Sequence, residues 1–220
     1  MEQTLFKKWG INGFTLKWIA MISMLIDHTG MVLFPQYRIL RIIGRLAFPI
    51  YCFLLVEGAV HTSDMRKYLG RLFLFALISE IPYDLACSGQ LWDFSSQNVF
   101  FTLFLGLSAI FVLQSQLNKA YGAVLVVALI LAAQYIHTDY GGFGVFVILL
   151  FYVFRERLFL KTAAFIVLDL FFYGGMQSYA VVSLIPILCY NGKRGPGMKY
   201  LFYLFYPVHL LVLYWLSTRL

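Results

Sequence analysis

The sequence predicts an all-α fold, a polytopic transmembrane helical bundle, and three observations carry that prediction. Of the 220 residues, 61% are hydrophobic and only 12% charged, whereas soluble domains carry about 25% charge. The apolar residues come in successive runs of about 15 to 20, the length a helix needs to cross a hydrocarbon core. Backbone amides have no water to bond in lipid, so such runs must satisfy themselves as helices. No stretch between them is long enough for a separate soluble domain, so residues 1–220 read as one integral-membrane domain.

Taken in order, residues 1–13 include "LFKKWGINGF", short and basic with Trp and Phe, the composition of a helix lying in the headgroup region. The polar start lacks a small-residue cleavage site, so the first span is expected to stay in the mature chain. Spans are expected near 14–34, 42–60, 68–86, 98–115, 119–136, 140–154, 158–173, 177–190 and 200–217. The sixth to eighth are short enough to form tilted partners, re-entrant pieces or one broken helix, which makes the count eight or nine. Prolines 49, 82, 186 and 207 fall within apolar runs, where a missing amide donor predicts kinks. "YGGFG", residues 140–144, has no preceding strand and reads as a helix entry or a close helix contact rather than a phosphate loop.

The net charge of +7 sits in short loops, where topology explains it better than nucleic-acid binding. With the N-terminus cytoplasmic and nine spans, Lys7, Lys8, Lys17, Arg66, Lys67, Arg71, Lys119, Arg155, Arg157, Lys161, Lys193, Arg194 and Lys199 face the cytoplasm. Arg38, Arg41, Arg45 and Arg219 are left on the far side, an asymmetry that favours N-in, C-out. Cys52, Cys87 and Cys189 show no CxxC or metal spacing and read as packing residues. No GxSxG elbow, HExxH, Walker loop or zinc spacing is present, so hydrolase, metalloprotease and ATP-driven pump fit poorly, and no metal is expected.

Charged side chains persist inside a membrane where they are paired or wet. The proposed topology puts Asp27 and His28 in the outer half of the first span. Arg41 and Arg45, four apart and so on one helical face, start the second; Glu80 and Asp84, also four apart, end the third. One reading is a charge-balanced network tying three helices together. The other gives His28 a catalytic role: a carboxylate holding one ring nitrogen leaves the second free to abstract a proton or carry a group. Adjacent helical residues point about 100° apart, so Asp27, Glu80 or Asp84 can be the orienting acid.

At the inner end of the second span, Glu57 and His61 precede "TSDMRKYLGR". Arg66, Lys67 and Arg71 there are either topology-setting bases or the phosphate grip of a cytosolic donor. His209, next to Pro207 and one turn from Tyr206 in "FYPVHLL", is either a satisfied buried histidine or a catalytic one.

Residues 26–86, "IDHTGMVLFP" through "GRLAFP", "EGAVHT", "RKYLGR" and "IPYD", together with "KYLFYLFYPVHLLVLYWL", resemble the TraX family, named for the conjugal-transfer protein that N-acetylates pilin. The middle of the chain agrees mainly in hydropathy and in "DYGGFG". The resemblance implies a multi-pass inner-membrane (plasma-membrane) acyltransferase using acetyl-CoA. It carries over motif positions Asp27, His28, Arg45, Glu57, His61, Arg71, Glu80, Asp84, Tyr206 and His209.

The expectation is therefore an acetyltransferase that moves acetyl from cytosolic acetyl-CoA to a hydroxyl or amine of a glycan, lipid-linked sugar or peptide. His28, Asp27, Arg45, Glu80, Asp84 and His209 form the catalytic set. Glu57, His61, Arg66, Lys67, Arg71 and Tyr206 form the donor-binding set. Arg45 would steady the tetrahedral oxygen, and His209 would relay acetyl should the donor bases and His28 lie ~15 Å apart. A proton-coupled transporter or lipid-handling protein uses the same residue types, and a non-catalytic assembly subunit is the third class.

Overall fold

The computed structural model describes residues 10–220, so most of the expected interfacial segment at residues 1–13 lies outside the described residues. Within that range all regular structure is helical: α1 (Gly13–Val32), α2 (Arg38–Gly44), α3 (Ala47–His61), α4 (Met65–Ser88), α5 (Val99–Gln114), α6 (Lys119–Tyr135), α7 (Gly141–Val153) and α8 (Leu158–Val167). A π-helical turn (Leu168–Tyr173), a 3-10 segment (Gly175–Ser183), α9 (Leu184–Leu188) and α10 (Lys199–Ser217) complete it. The apolar runs thus become helices close to the expected positions. The seventh and eighth, for which re-entrant pieces or a broken helix were among the expected forms, are interrupted between Leu168 and Ser183.

Two stretches, Arg38–His61 and Tyr200–Ser217, are long and apolar enough to cross a membrane, and shorter apolar helices occupy Val99–Gln114, Lys119–Tyr135, Gly141–Val153 and Gly175–Leu188. Among the prolines, Pro49 falls in the first turn of α3, where the missing amide would have had no partner anyway, so no kink is required there. Pro82 and Pro207 are inside α4 and α10.

The chain divides into two compact units, one taking it up to Leu54 together with Thr162–Leu220, the other Leu55–Lys161. In the first, α1 packs against α2 and α10. Asn12 caps α1 by accepting from the Thr15 amide at 2.9 Å, supplying one of the acceptors that free helix-start amides need. The residues just before it are clasped to the far end of the unit: the Ile11 amide donates to the Cys189 carbonyl, the Asn191 amide to Ile11 and the Gly13 amide to Lys193.

Glycine permits the approach of α1 to α2. A Cβ at Gly30 would stand 2.6 Å from Leu40 Cβ, and one at Gly44 would stand 2.1 Å from both Cβ and Oδ1 of Asp27. Neither distance is compatible with a side chain. Ser23, four residues before Asp27 on the same face, donates to the Ile43 carbonyl at 3.0 Å.

In the second unit, Asp64 caps α4 through the Lys67 amide at 3.0 Å, and Gly89 ends that helix in the left-handed region at φ 72°. Helices α5, α6 and α7 enclose a core of Leu105, Ala109, Ala133, Val145 and Leu149. Gly142, whose Cβ would press to 2.9 Å from the Ile130 carbonyl, shows that "YGGFG" serves both as a helix start and as a close contact.

Candidate active site

The polar centre of the first unit is built from α1, α2, α10 and the 3-10 segment. Asp27 and His28 are adjacent on α1 and, as the ~100° helical rotation requires, face different neighbours. Asp27 turns to α2, where Arg41 Nη1 meets Oδ2 at 2.7 Å and Arg45 Nη2 meets Oδ1 at 2.6 Å. The spacing of four puts both guanidiniums on one face, as the sequence implied. Arg41 also donates to the Asp27 carbonyl and Arg45 to the Arg41 carbonyl, while Arg45 Nη1 reaches Gln177 Oε1 at 3.3 Å. Two guanidiniums against one carboxylate leave a surplus positive charge, and both act electrostatically on His28.

His28 turns the other way, to α10. Its Nδ1 lies 2.7 Å from His209 Nε2, and the rings stack with centroids 4.9 Å apart. His209 Nδ1 in turn lies 2.7 Å from the Phe205 carbonyl. A carbonyl only accepts, so His209 Nδ1 carries hydrogen; with both rings neutral, His209 Nε2 then accepts and His28 Nδ1 donates. The remaining lone pair of the dyad is therefore on His28 Nε2. Tyr206 closes one side, edge-on to both imidazoles at 5.9 and 5.7 Å. His28 and His209 are both buried.

This corrects the expectation that a carboxylate orients His28. Its partner is a second histidine, and Asp27 is committed to the arginines instead. Glu80 and Asp84 are held within the second unit: Glu80 Oε2 accepts from both the side chain and the backbone amide of Asn98, and Asp84 Oδ2 accepts from the Asp93 amide at 3.0 Å. Asp93 itself, in the loop after α4, is held below the usual carboxylate range by the Ser95 hydroxyl and amide.

Among the residues expected to bind a donor, His61 Nδ1 bonds the Glu57 backbone carbonyl at 2.8 Å rather than its carboxylate. Lys67 pairs with Asp64 at 3.2 Å while remaining largely exposed, and Arg66 is exposed. Arg71 lies over the Tyr68 ring at 5.5 Å and keeps a buried Nε without a hydrogen-bond partner among the described residues. Glu57 acts electrostatically on Lys161, a buried lysine at the start of α8. Sequence reasoning counted Lys161 only as a loop base and did not single out Gln177 or Asp169; a lone acid inside an apolar run was the available signal for Asp169. Among the described residues no group of three or more His, Cys, Asp or Glu is arranged to hold a metal ion.

The family model described as "TraX protein" matches residues 12–217. The chain belongs to the TraX family. It is 36% identical over 232 residues to "Probable fimbrial assembly protein FimC, serogroup H1" of Dichelobacter nodosus, covering 92% of this chain and 94% of that protein. It is also 28% identical over 181 residues to "Uncharacterized protein RP591" of Rickettsia prowazekii (strain Madrid E), covering 80% and 68% of the two chains. No solved structure matches. The apolar helices and the membership together describe a TraX-family membrane protein, and the match spans the elements that carry Asp27, His28, Arg41, Arg45, Tyr206 and His209.

Proposed function

We propose that this TraX-family protein is a multi-pass inner-membrane acetyltransferase that moves acetyl from acetyl-CoA to a hydroxyl or amine acceptor. The observation that carries the reading is the His28–His209 dyad, in which the Phe205 carbonyl fixes the tautomers and leaves the basic lone pair on His28 Nε2. A base so fixed takes the acceptor's proton as the acceptor oxygen or nitrogen bonds to the acetyl carbonyl carbon. The carbon–sulfur bond then breaks, and the departing thiolate recovers the proton from His28. The surplus charge of Arg41 and Arg45 beside Asp27 offsets the negative charge that develops on the tetrahedral oxygen. Arg66, Lys67 and Arg71 are the proposed partners of the donor phosphates. The buried, unpartnered Arg71 Nε supports that assignment, since a guanidinium in such a position gains from an anionic acceptor.

The acceptor is a glycan, a lipid-linked sugar or a peptide amine. The name of the Dichelobacter nodosus relative makes a fimbrial subunit one candidate. Incubating purified protein in detergent with labelled acetyl-CoA and a membrane extract should give acceptor-dependent thiol release, abolished in His28→Gln. Equal labelling by wild type and variant rules the dyad out as the catalytic base. Transport of a polar solute without acetyl-CoA, and with no thiol release, marks the transporter class instead.

A further inference from the structure

The interruption between α8 and α9 holds two buried polar side chains that the acetyl-transfer reading does not use. Asp169 is 0% exposed, and neither of its carboxylate oxygens has a hydrogen-bond partner among the described residues. Ser183, also 0% exposed, has a hydroxyl without a partner among the described residues. They lie on two elements that pack against each other. Asp169 lies in the π-turn, closed by the Gly174 amide donating to the Asp169 carbonyl at 2.9 Å. That turn packs on the 3-10 segment that ends at Ser183, and the Val181 backbone faces the Asp169 carboxyl.

The flanking residues say what kind of surroundings these are. Phe171 and Phe172 point outward at 80% and 78% exposure, with Leu170 also exposed, an apolar outer surface set against one inward carboxyl. Gly174 and Gly175 break the helix at φ 66° and 57°, and a Cβ at Gly175 would meet nothing within 4 Å, so open space adjoins the break. Irregular backbone inside a membrane segment is tolerated where it is buried in protein or lines a polar cavity. A buried carboxylate faced only by one backbone group, with no bonded base, is too costly to stay charged and bare.

We propose that Asp169 and Ser183 form a binding site for a single small positive charge, taken up as a proton or as an alkali cation, at the break between α8 and α9. The carboxylate supplies the charge, and the Ser183 hydroxyl an oxygen ligand or hydrogen-bond acceptor. Tyr173 on the π-turn and Tyr179 on the 3-10 segment are the titratable groups of the elements packed immediately around it; α9 has none. Arg38, Arg41 and Arg45 belong to the α2 region, which packs directly on the 3-10 segment and bonds it through Gln177. Occupancy holds the broken segment closed and, through Gln177, supports Arg45. The proposal is independent of the chemistry assigned to His28.

The test uses the full-length protein in detergent, with melting temperature followed while NaCl or LiCl replaces N-methyl-D-glucamine chloride at constant ionic strength. Infrared difference spectra across pH report a protonated carboxyl through its carbonyl band. A cation-dependent rise in melting temperature that is absent in Asp169→Asn supports the alkali cation; an Asp169-dependent carboxylic-acid band supports the proton. If Asp169→Asn gives no folded protein, Ser183→Ala should raise the half-saturating cation concentration, or shift the titration of the band, at least about fivefold. Wild type with neither a cation response nor an acid band, or variants that keep either unchanged, overturns the site.

Discussion

Nδ1 of His28 lies 2.7 Å from Nε2 of His209 although 181 positions separate them in the chain. The Phe205 carbonyl, at 2.7 Å from the far side of His209, sets the direction of the whole relay. His209→Gln can still offer His28 an acceptor oxygen, whereas His209→Phe cannot. Acetyl transfer is expected to fall roughly 100-fold in His209→Phe and less in His209→Gln, with unchanged melting temperature in the Gln variant. Rates of thiol release with acceptor present check this, and equal rates in both variants would remove the orienting role.

Asp27 bridges two arginines that are mostly withdrawn from solvent, with side-chain exposures of 27% for Arg41 and 14% for Arg45. Asp27→Asn keeps the volume and leaves two cations facing each other. Breaking a fully buried pair costs about 3 to 5 kcal/mol, so partial exposure places this variant at roughly 2 to 3 kcal/mol. Reversible unfolding of wild type and variant in detergent measures the loss.

Two glycines should respond in opposite directions to the same methyl group. At Gly44 a Cβ would lie 2.1 Å from Asp27, while at the exposed Gly70, inside α4, it would meet nothing within 4 Å. Gly44→Ala is expected to destabilise by about 1 to 3 kcal/mol through overpacking and to displace Asp27. Gly70→Ala should be neutral or stabilising by up to about 1 kcal/mol through helix propensity. Paired thermal melts decide it.

If Arg66, Lys67 and Arg71 grip the donor, their loss should act on binding rather than on the chemical step. Arg66→Ala combined with Lys67→Ala is expected to raise KM for acetyl-CoA about tenfold with kcat little changed. Steady-state kinetics at saturating acceptor separate the two, and a fall in kcat alone argues against a phosphate role.

At the start of α4, the Lys67 backbone amide and, after it, the Lys67 side chain hold the Asp64 carboxyl below the usual carboxylate range. A group whose folded value is depressed contributes stability above its unfolded value and loses it as pH falls through the folded one. The cap should therefore survive mild acid and release only below the normal aspartate range. A carboxyl-carbon NMR titration of Asp64 that turns over at an ordinary aspartate position would contradict this.

The helices were legible because apolar runs of membrane length admit little else, and the shared face of Arg41 and Arg45 because of their spacing of four, though not that Asp27 among three acids is what they clamp. The partner of His28 was not, since it comes from the opposite end of the chain and nothing local selects one distant ring over a nearer acid. A broken helix was one of the forms expected of the short sixth to eighth runs, but the place of the break, Leu168–Ser183, was not legible. Its residues are as apolar as a regular helix, and only Asp169 and the Gly174–Gly175 pair mark it. Lys161 read as a loop base because burial cannot be seen in a charge count.

The clasp that ties Ile11 and Gly13 to Cys189 and Lys193 bears on the order of biosynthesis. Leu55–Lys161 is an uninterrupted insertion in the first unit, so it can close while the ribosome is still at work. The first unit must wait, its opening helix packed on α2 but without α10 until Lys199–Ser217 emerges. A nascent chain stalled short of His209 would thus carry a finished middle and a His28 without its ring partner, so premature release leaves the dyad unmade.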